Sequence, residues 1–416
     1  MHFAESDRRN GNHCHVKTLA QRPALDPVIS DSSAAHYRQK KKKVKTQTKS
    51  PGLFKVIYAS LHEVVRGNCF AEYTNEPPCF KGYFMCLKRN ALLLITGLLV
   101  VFTAATACAG VRTVTSRGKT YVTLPGMAAN YGMTVTQPFK TRIRLQNKYN
   151  KIEFETDSRS IWINGTLIWL SEPVRKVGWQ WAIDITDFNK TIEPAVRPQD
   201  LLKNAGTRTV VLDPGHGGDD KGTSSPRNVH EKLIVLDVAK RVQAKLEARG
   251  INVELTRESD RAMDLNARCR KAAALRADVF VSIHANSAGK NRDVRGAETF
   301  VLALPGRYSS NSYGGGKLPS DTNTGNRYDI ANMALSYRIQ QNLIKATGQE
   351  DRGVKRARFE VLRDAPCPAT LVEMAFLSNP KDEAIAIDPA GRDRIARGIA
   401  DGIAAYLSDV SRARSK

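Results

Sequence analysis

The 416-residue sequence predicts an α/β fold in which a mostly parallel sheet carries helices on both faces, preceded by a small β-rich domain. Two observations predict it. From residue 208 to residue 408, short apolar runs alternate with longer segments in which apolar residues recur every three or four positions. Between residues 112 and 198, apolar and polar residues alternate in short runs that turn residues separate. Alternating strands and helices favour a parallel sheet covered on both sides.

Residues 1–84 form a basic segment without sustained periodicity. Their most basic stretch, Gln39–Lys49, has no interleaved aromatic residues, so we expect a solvated tail and no nucleic-acid partner. The chain has a net charge of +23, and the part beyond residue 109 keeps 48 basic against 34 acidic residues, or +14. Such an excess suits a partner polymer that carries carboxylates.

Residues 85–109 resemble a secretory signal peptide. Two basic residues precede an apolar run, Ala91–Ala105, and small residues at 107–109 provide a cleavage site. We therefore expect export to the periplasm or cell envelope. Signal peptides begin at the start of a chain, so we expect translation to begin at Met85, with residues 1–84 otherwise disordered. The membrane is a partner only if Cys108 is lipidated or the signal is retained, since about 19 apolar or small residues can just span a bilayer.

The β-rich segment contains a clear hairpin. Ser160–Leu170 has Asn164-Gly165 as a two-residue turn. Pairing about this turn separates two sets of side chains. One face carries Ile161, Ile163, Ile168 and Leu170, and the other carries Trp162, Leu167 and Trp169. The alternation in Trp179–Ile185 predicts a further strand, with Trp179, Trp181, Ile183 and Ile185 on one face.

All four tryptophans of the chain lie in this segment. They either form a surface that stacks on sugar rings or fill a core and contact the neighbouring domain. We favour the second interpretation, because a small domain needs large residues to fill its interior.

The second domain is predicted to span residues 208–408. Its expected strands cover residues 207–213, 251–256, 278–286, 297–304 and 369–376. Its expected helices are Glu231–Arg249, Asp264–Arg276, Asp329–Thr347 and Arg392–Leu407. A loop at 305–327 has 23 residues, of which 14 are Gly, Ser, Asn or Pro, and a loop of that length is usually functional or disordered.

One histidine lies in an unusual setting within "VVLDPGHGGDD", residues 210–220. The apolar strand stops at Asp213-Pro214, and glycines on both sides of His216 let the backbone turn sharply and leave space above it. His216 is thereby presented at the carboxyl end of a strand, where open α/β sheets bind ligands. Phosphate binding is disfavoured, since the glycine spacing matches neither common phosphate-binding loop.

Two more residues are expected near His216. His284 ends the apolar strand "VFVSIHAN", so it lies at the same edge of the sheet, and Glu231 begins the helix after the glycine loop. Two neutral imidazoles and a carboxylate form a known catalytic zinc arrangement with a fourth position for water. We therefore expect one zinc ion per chain. His230 is chemically able to replace Glu231, and geometry alone favours neither.

Glu373 lies at the end of the apolar strand "TLVEMAF", where an ionised carboxylate is costly unless it has a purpose. We interpret Glu373 as a general base that takes a proton from water and passes it to the leaving amine. A buried salt bridge is the alternative. Asp213 and Asn286 are near enough in sequence to orient the metal ligands.

Five motifs in order resemble the zinc-dependent N-acetylmuramoyl-L-alanine amidases of bacterial cell walls. They are "VVLDPGHGGDD", "HEKLIVLDVAKRV", "VELTRESD", "VFVSIHANS" and "PATLVEMAFLSNPKDE". The resemblance implies His216, Glu231 and His284 as metal ligands, favouring Glu231 over His230, and Glu373 as the catalytic residue. It implies hydrolysis of the amide between the lactyl group of N-acetylmuramic acid and L-alanine, peptidoglycan as the partner, and a regulatory activator protein as a further candidate partner.

The sequence departs from the family pattern at Ala375, where relatives usually carry glycine. Some relatives also carry an inhibitory helix, but the composition of the 305–327 loop is not helical. The β-rich segment, including Ile192–Pro198, resembles the small domain named from copper amine oxidases, which implies no copper here.

Two other functions remain open at this point. The chain is either an exported zinc peptidase or deacetylase that acts on another cell-wall bond, or a non-catalytic wall-binding protein that keeps the fold. Cys269 and Cys367 either form a disulfide or stay as two buried thiols.

Overall fold

The computed structural model describes residues 110–203, 209–315 and 318–413. The basic segment and the signal peptide predicted within residues 1–109 lie outside the described residues. The strands are β1 Thr113–Ser116, β2 Lys119–Thr123, β3 Thr134–Phe139, β4 Arg142–Gln146, β5 Lys151–Glu155, β6 Ser160–Ile163, β7 Thr166–Trp169, β8 Arg175–Val177, β9 Gln180–Asp184, β10 Thr209–Pro214, β11 Asn252–Leu255, β12 Val279–Asn286, β13 Ala297–Leu302, β14 Asp351–Ala357 and β15 Ala369–Phe376.

One helix, α1 Leu124–Tyr131, lies in the β-rich segment. The helices of the second half are α2 Glu231–Glu247, α3 Leu265–Ala274, α4 Asp329–Thr347, the single turn α5 Glu360–Arg363, α6 Pro380–Ile387 and α7 Pro389–Ser411. Short helical turns follow β9 at Ile185–Asp187, Phe188–Ile192, Glu193–Val196 and Pro198–Leu201. Helix α7 begins before the predicted Arg392, because Asp388 accepts hydrogen bonds from the backbone of Ala390 and Gly391 and thereby caps the helix.

Eleven strands form one continuous sheet in the order β11-β10-β12-β15-β13-β14-β7-β6-β5-β4-β3. The prediction of a mostly parallel sheet is wrong, because the sheet is mixed. Strands β11, β10, β12 and β15 are parallel neighbours, but β13 runs antiparallel to β15. The hairpins from β3 to β7 then add antiparallel pairs at the other end of the sheet.

Helices cover both faces of the sheet between β10 and β15. On one face, side chains such as Leu212, Ile283 and Val372 pack in a buried cluster with α2, α4 and α7. On the other face, residues such as Val211 and Leu371 pack against α3 and α5. Because β10, β12 and β15 are parallel neighbours between these two layers, their carboxyl ends lie at one edge of the sheet.

The predicted hairpin is present as β6 and β7. Asn164 and Gly165 have φ angles of 50° and 87°, as a tight two-residue hairpin turn requires. The four aliphatic residues predicted on one face are fully buried, while the face with Trp162, Leu167 and Trp169 is only half-buried. Trp179, predicted to share a face with its neighbours in β9, is instead 99% exposed, because it lies in the turn before that strand.

The β-rich segment packs directly against the second half of the chain. Val301, Tyr337 and Val354 belong to the same buried cluster as the aliphatic face of the hairpin. The indole nitrogen of Trp169 donates a hydrogen bond to the carbonyl of Arg352 at 3.0 Å. At this position a tryptophan therefore contacts the neighbouring segment, as the favoured interpretation expects. Strands β1, β2, β9 and β8 form a separate four-stranded sheet.

The loop at 305–327 follows β13. Because β13 runs antiparallel to β15, the loop begins at the edge of the sheet opposite Glu373. Its described residues contain only short 3₁₀ turns, Ser310–Ser312 and Thr324–Tyr328.

Cys269 and Cys367 are both free and buried. Within the described ranges, no helix is long and apolar enough to cross a membrane.

Candidate metal centre

The turn after β10 holds His216 in a conformation that few side chains adopt. His216 has a φ of 59°, in the left-handed region that disfavours residues with a Cβ atom. Two buried arginines hold this turn through its carbonyl oxygens. Arg268 donates to Pro214 and His216 at 2.8 Å each, and Arg257 donates to Gly215 at 2.7 Å. The surrounding structure therefore stabilises the strained backbone.

Glycine is required at Gly215 by close packing. A Cβ atom there would lie 2.1 Å from a ring carbon of His284, closer than any real contact. The His284 ring thus lies directly against the backbone of the turn. A Cβ at Gly222 would similarly lie 2.6 Å from a carboxylate oxygen of Glu231. Gly215 in the motif and Gly222 just after it therefore make room for two of the predicted ligands.

His216, Glu231 and His284 meet in one buried cluster. One potential ligand atom from each residue lies within 4.8 Å of the other two. Oε1 of Glu231 is 3.1 Å from Nε2 of His216 and 3.0 Å from Nδ1 of His284. The three residues are 5%, 1% and 5% exposed, respectively. The structure therefore brings together all three side chains that the sequence predicts as ligands.

His230 lies outside this cluster. Its Nδ1 is 2.9 Å from the hydroxyl oxygen of Ser224, and the residue precedes the first turn of α2. Glu231 is the first residue of α2 and turns its side chain inward, where its carboxylate also accepts hydrogen bonds from the backbone of Thr223 and Ala285.

The two predicted orienting residues are hydrogen-bonded to groups other than the predicted ligands. Asp213 is fully buried and accepts hydrogen bonds from Thr256, Ser282 and Arg268. Arg268 also donates to the carbonyl oxygen of His216, so Asp213 helps to position the backbone of His216 by holding Arg268. Asn286 donates from its amide to Glu298 at 3.1 Å.

Sequence reasoning missed Asp220, whose Oδ2 lies 2.7 Å from Nδ1 of His216. A carboxylate of this kind fixes the tautomer and orientation of a ligating histidine. Asp220 lies four residues after His216 within the quoted motif, so the need for such a partner could have identified it.

The electrostatics of the cluster follow from its burial and its pairing. Burial raises the pKa of Glu231, but hydrogen bonds from His216 and His284 outweigh that effect and hold the pKa at about 2. Burial lowers the pKa of His216, whereas its interactions with Glu231 and Asp220 raise it above the usual value. The cluster therefore favours an ionised carboxylate between two imidazoles.

Glu373 lies on β15 directly beside His284 of β12 in the strand register. It is 4% exposed, and its Oε2 has no hydrogen-bond partner among the described residues. Burial raises the pKa of Glu373 well above its ordinary value, and the negative charges of Glu231 and Glu298 raise it further. A buried carboxylate oxygen without a partner is costly, which disfavours the salt-bridge interpretation of Glu373.

The donor set fits a divalent metal ion. Two imidazole nitrogens and one carboxylate oxygen converge within the buried cluster, and these are ligands that several transition metals accept. A cleft of about 350 Å³ lies beside both histidines. Its lining includes the apolar residues Met263, Leu265, Phe359, Val361 and Leu371. A substrate therefore has room next to a bound metal.

The sequence is similar to those of known proteins. The N-acetylmuramoyl-L-alanine amidase family model matches residues 210–405. The N-acetylmuramoyl-L-alanine amidase AmiA of Escherichia coli is 31% identical over 262 residues, which cover 58% of this chain and 90% of AmiA. The chain belongs to the N-acetylmuramoyl-L-alanine amidase family.

Other members of the amidase family match a similar region. The N-acetylmuramoyl-L-alanine amidase AmiC of Neisseria meningitidis is 34% identical over 226 residues, covering 50% of this chain. The chain spans about half the length of that relative, 54%. The catalytic domain of CwlV, an amidase from Bacillus (Paenibacillus) polymyxa, is 34% identical, with a TM-score of 0.41, and the match covers 49% of this chain and 99% of that domain.

Proposed function

We propose that this protein is a zinc-dependent hydrolase that cleaves the amide bond between N-acetylmuramic acid and L-alanine in peptidoglycan. The buried cluster of His216, Glu231 and His284 beside Glu373 carries the proposal. Family membership supports the choice of the amide bond. The imidazole and carboxylate donors favour zinc, which such sets hold in catalytic sites with one position open.

The three ligands would hold one zinc ion, which acts as a Lewis acid that polarises the substrate carbonyl and acidifies water. Asp220 keeps the His216 ring oriented through its 2.7 Å contact with Nδ1. Arg268 and Arg257 hold the turn that carries His216, so the position of this ligand is fixed before substrate binds.

Glu373 is proposed to move the proton. As water attacks the carbonyl carbon of the lactyl group, Glu373 takes up a proton from that water. It then donates the proton to the nitrogen of L-alanine as the carbon–nitrogen bond breaks. The products are a lactyl carboxylate and a stem peptide with a free amino terminus. The pKa of Glu373 would fall when a divalent cation offsets the charge of Glu231, leaving Glu373 ionised and able to accept the proton.

Product analysis tests this function. Defined muropeptides incubated with the purified protein should yield intact stem peptides that begin with a free L-alanine, together with sugar fragments that keep their acetyl groups. A zinc chelator should abolish the reaction, and added zinc should restore it. Mass spectrometry of the products provides the measurement. Cleavage inside the stem peptide or loss of acetyl groups would instead indicate a peptidase or deacetylase, and intact muropeptides would indicate a wall-binding protein.

We further propose that the protein is exported to the periplasm or cell envelope, where its substrate lies. The signal-like pattern at residues 85–109 supports this localisation. N-terminal sequencing of the mature protein should find a start near Gly110 or a lipidated Cys108. A cytoplasmic product that retains residues 1–84 would contradict both the localisation and the expected start at Met85.

The segment at 112–198 is proposed to be an accessory domain of the type named from copper amine oxidases, and the segment at 208–408 the catalytic domain. The antiparallel hairpins and the second small sheet distinguish the first segment, although β7 pairs with β14 and joins both segments in one sheet. A regulatory activator protein remains a candidate partner.

A further inference from the structure

One arginine at the metal-bearing edge of the sheet has its terminal nitrogens available. Arg352 lies at the start of β14, and its Nε donates to Oε2 of Glu298 at 3.1 Å. The guanidinium carbon lies 4.9 Å from the centre of the Phe376 ring. Within the part of the chain that the structure describes, neither terminal nitrogen of Arg352 donates a hydrogen bond. The carboxylate and the ring thus hold the guanidinium and leave its outer edge open.

Arg352 is close to Glu373 through the strand register. Glu298 of β13 lies directly opposite Glu373 of β15, and Gly353 of β14 lies directly opposite Glu298. Neighbouring strands are about 4.8 Å apart, so the backbones of Gly353 and Glu373 are separated by roughly 10 Å. A substrate that is bound for cleavage near Glu373 can reach the side chain of Arg352.

Glu298 has two cationic partners that differ in exposure. Glu298 pairs with both Lys355, at 2.6 Å, and Arg352. Asn286 is neutral and donates to the other carboxylate oxygen. Lys355 can by itself balance the charge of Glu298, so the guanidinium of Arg352 can also pair with a second anion. The Lys355 side chain is only 9% exposed, whereas that of Arg352 is 28% exposed, so Arg352 is the cation of this pair that a ligand can reach from solvent.

We propose that Arg352 binds a carboxylate of the stem peptide and so contributes to substrate specificity, an inference that rests on the proposed function. The muramic acid carboxyl is consumed in the scissile amide. The nearest free anion is therefore the carboxylate of the second peptide residue, where that residue is glutamate and not its amide. A guanidinium edge matches a carboxylate with two parallel hydrogen bonds, which lysine cannot form.

The β-rich segment holds this arginine in place. The backbone of Leu167 donates to Asp351 at 2.8 Å, and the indole of Trp169 donates to the Arg352 carbonyl. Gly353 has a φ of 83°, and a Cβ there would lie 2.7 Å from the side chain of Leu167. Strand β7 therefore fixes the start of β14, and with it the position of Arg352.

Peptide binding tests the proposal without requiring turnover. The probes are two stem tripeptides that differ only at the second residue, one with a free carboxylate and one with a carboxamide. Calorimetry with the full-length, zinc-loaded protein should find that the carboxylate peptide binds about 10- to 100-fold more tightly, as expected for charge-assisted hydrogen bonds. Arg352→Gln should remove this preference, and Arg352→Lys should keep only part of it.

Arg338→Gln is the matched control. Arg338 also donates from Nε to a carboxylate, that of Asp409 at 2.7 Å, and also lies against an aromatic ring, but on α4. It should leave the preference unchanged. Equal affinity of the wild-type protein for both peptides, or a preserved preference in Arg352→Gln, would overturn the proposal. Equal weakening of both peptides in Arg352→Gln would assign Arg352 a purely structural role and also overturn it. A protein that prefers the carboxylate peptide but leaves the muramoyl amide intact would contradict the proposed function alone.

Discussion

Replacing Glu373 by alanine is expected to reduce turnover by about 10²- to 10⁴-fold, the usual contribution of a general acid–base group. The zinc content should stay near one ion per chain, because the three ligands of the buried cluster do not include Glu373. Activity on defined muropeptides and metal analysis of the same preparation provide the measurement. A fully active Glu373→Ala enzyme would exclude this residue as the base.

The same substitution should not destabilise the fold. Burial and the charges of Glu231 and Glu298 all disfavour the ionised form of Glu373, and its Oε2 has no partner among the described residues. The substitution removes a buried polar oxygen without a partner, which offsets the cavity that it leaves, so the thermal unfolding midpoint should change little. Glu360→Gln is the control, since Glu360 also lines the cleft but has no proposed role in proton transfer. It should keep most of the activity.

Replacing Glu231 by alanine is expected to yield a protein that is nearly free of zinc and inactive. Loss of an outer hydrogen-bond partner already weakens metal affinity by roughly 10- to 100-fold, and loss of a ligand should cost more. His230→Ala should keep its zinc and much of its activity, because His230 contacts Ser224 outside the cluster. Metal analysis of both variants after dialysis makes the comparison.

A second substitution separates ligation from folding. Glu231 also accepts hydrogen bonds from the backbone of Thr223 and Ala285, one on each carboxylate oxygen, so the alanine variant leaves both donors without this acceptor. Glu231→Gln retains an acceptor for one of the two donors and should therefore fold better than Glu231→Ala while still binding zinc poorly. If His230→Ala is the variant that loses zinc, the assignment of Glu231 as a ligand is wrong.

The meeting of His216 and His284 could be predicted because both follow apolar runs that form parallel strands. Carboxyl ends of parallel strands share an edge, so two local patterns were enough. Asp220 could also have been predicted, because a histidine that binds a metal usually pairs its other ring nitrogen with a carboxylate or carbonyl. Arg257 and Arg268 were not predicted, because an arginine that donates to buried carbonyls has no distinctive spacing in the sequence.

The mixed sheet could not be predicted from the apolar pattern. A buried strand such as β13 has the same composition in either direction, and its direction depends on the connections on each side. The pairing of β7 with β14 brings together residues that are far apart in the chain. In the strand register this pairing consists of a single residue pair, Ile168 and Val354. Local periodicity carries no information about such a distant pairing.

The reversed direction of β13 separates two parts of the molecule that differ in how well they tolerate changes in length. The loop after it begins beside the β-rich segment, where Arg307 pairs with Glu172 and Asp184, and it ends at Gly325, which packs against Leu362 of α5, a helix that lines the cleft. Between these two points, residues 311–315 are exposed, and insertions or deletions there would leave the metal ligands undisturbed. That stretch can therefore change in length, while the turn that carries His216 tolerates almost no such change.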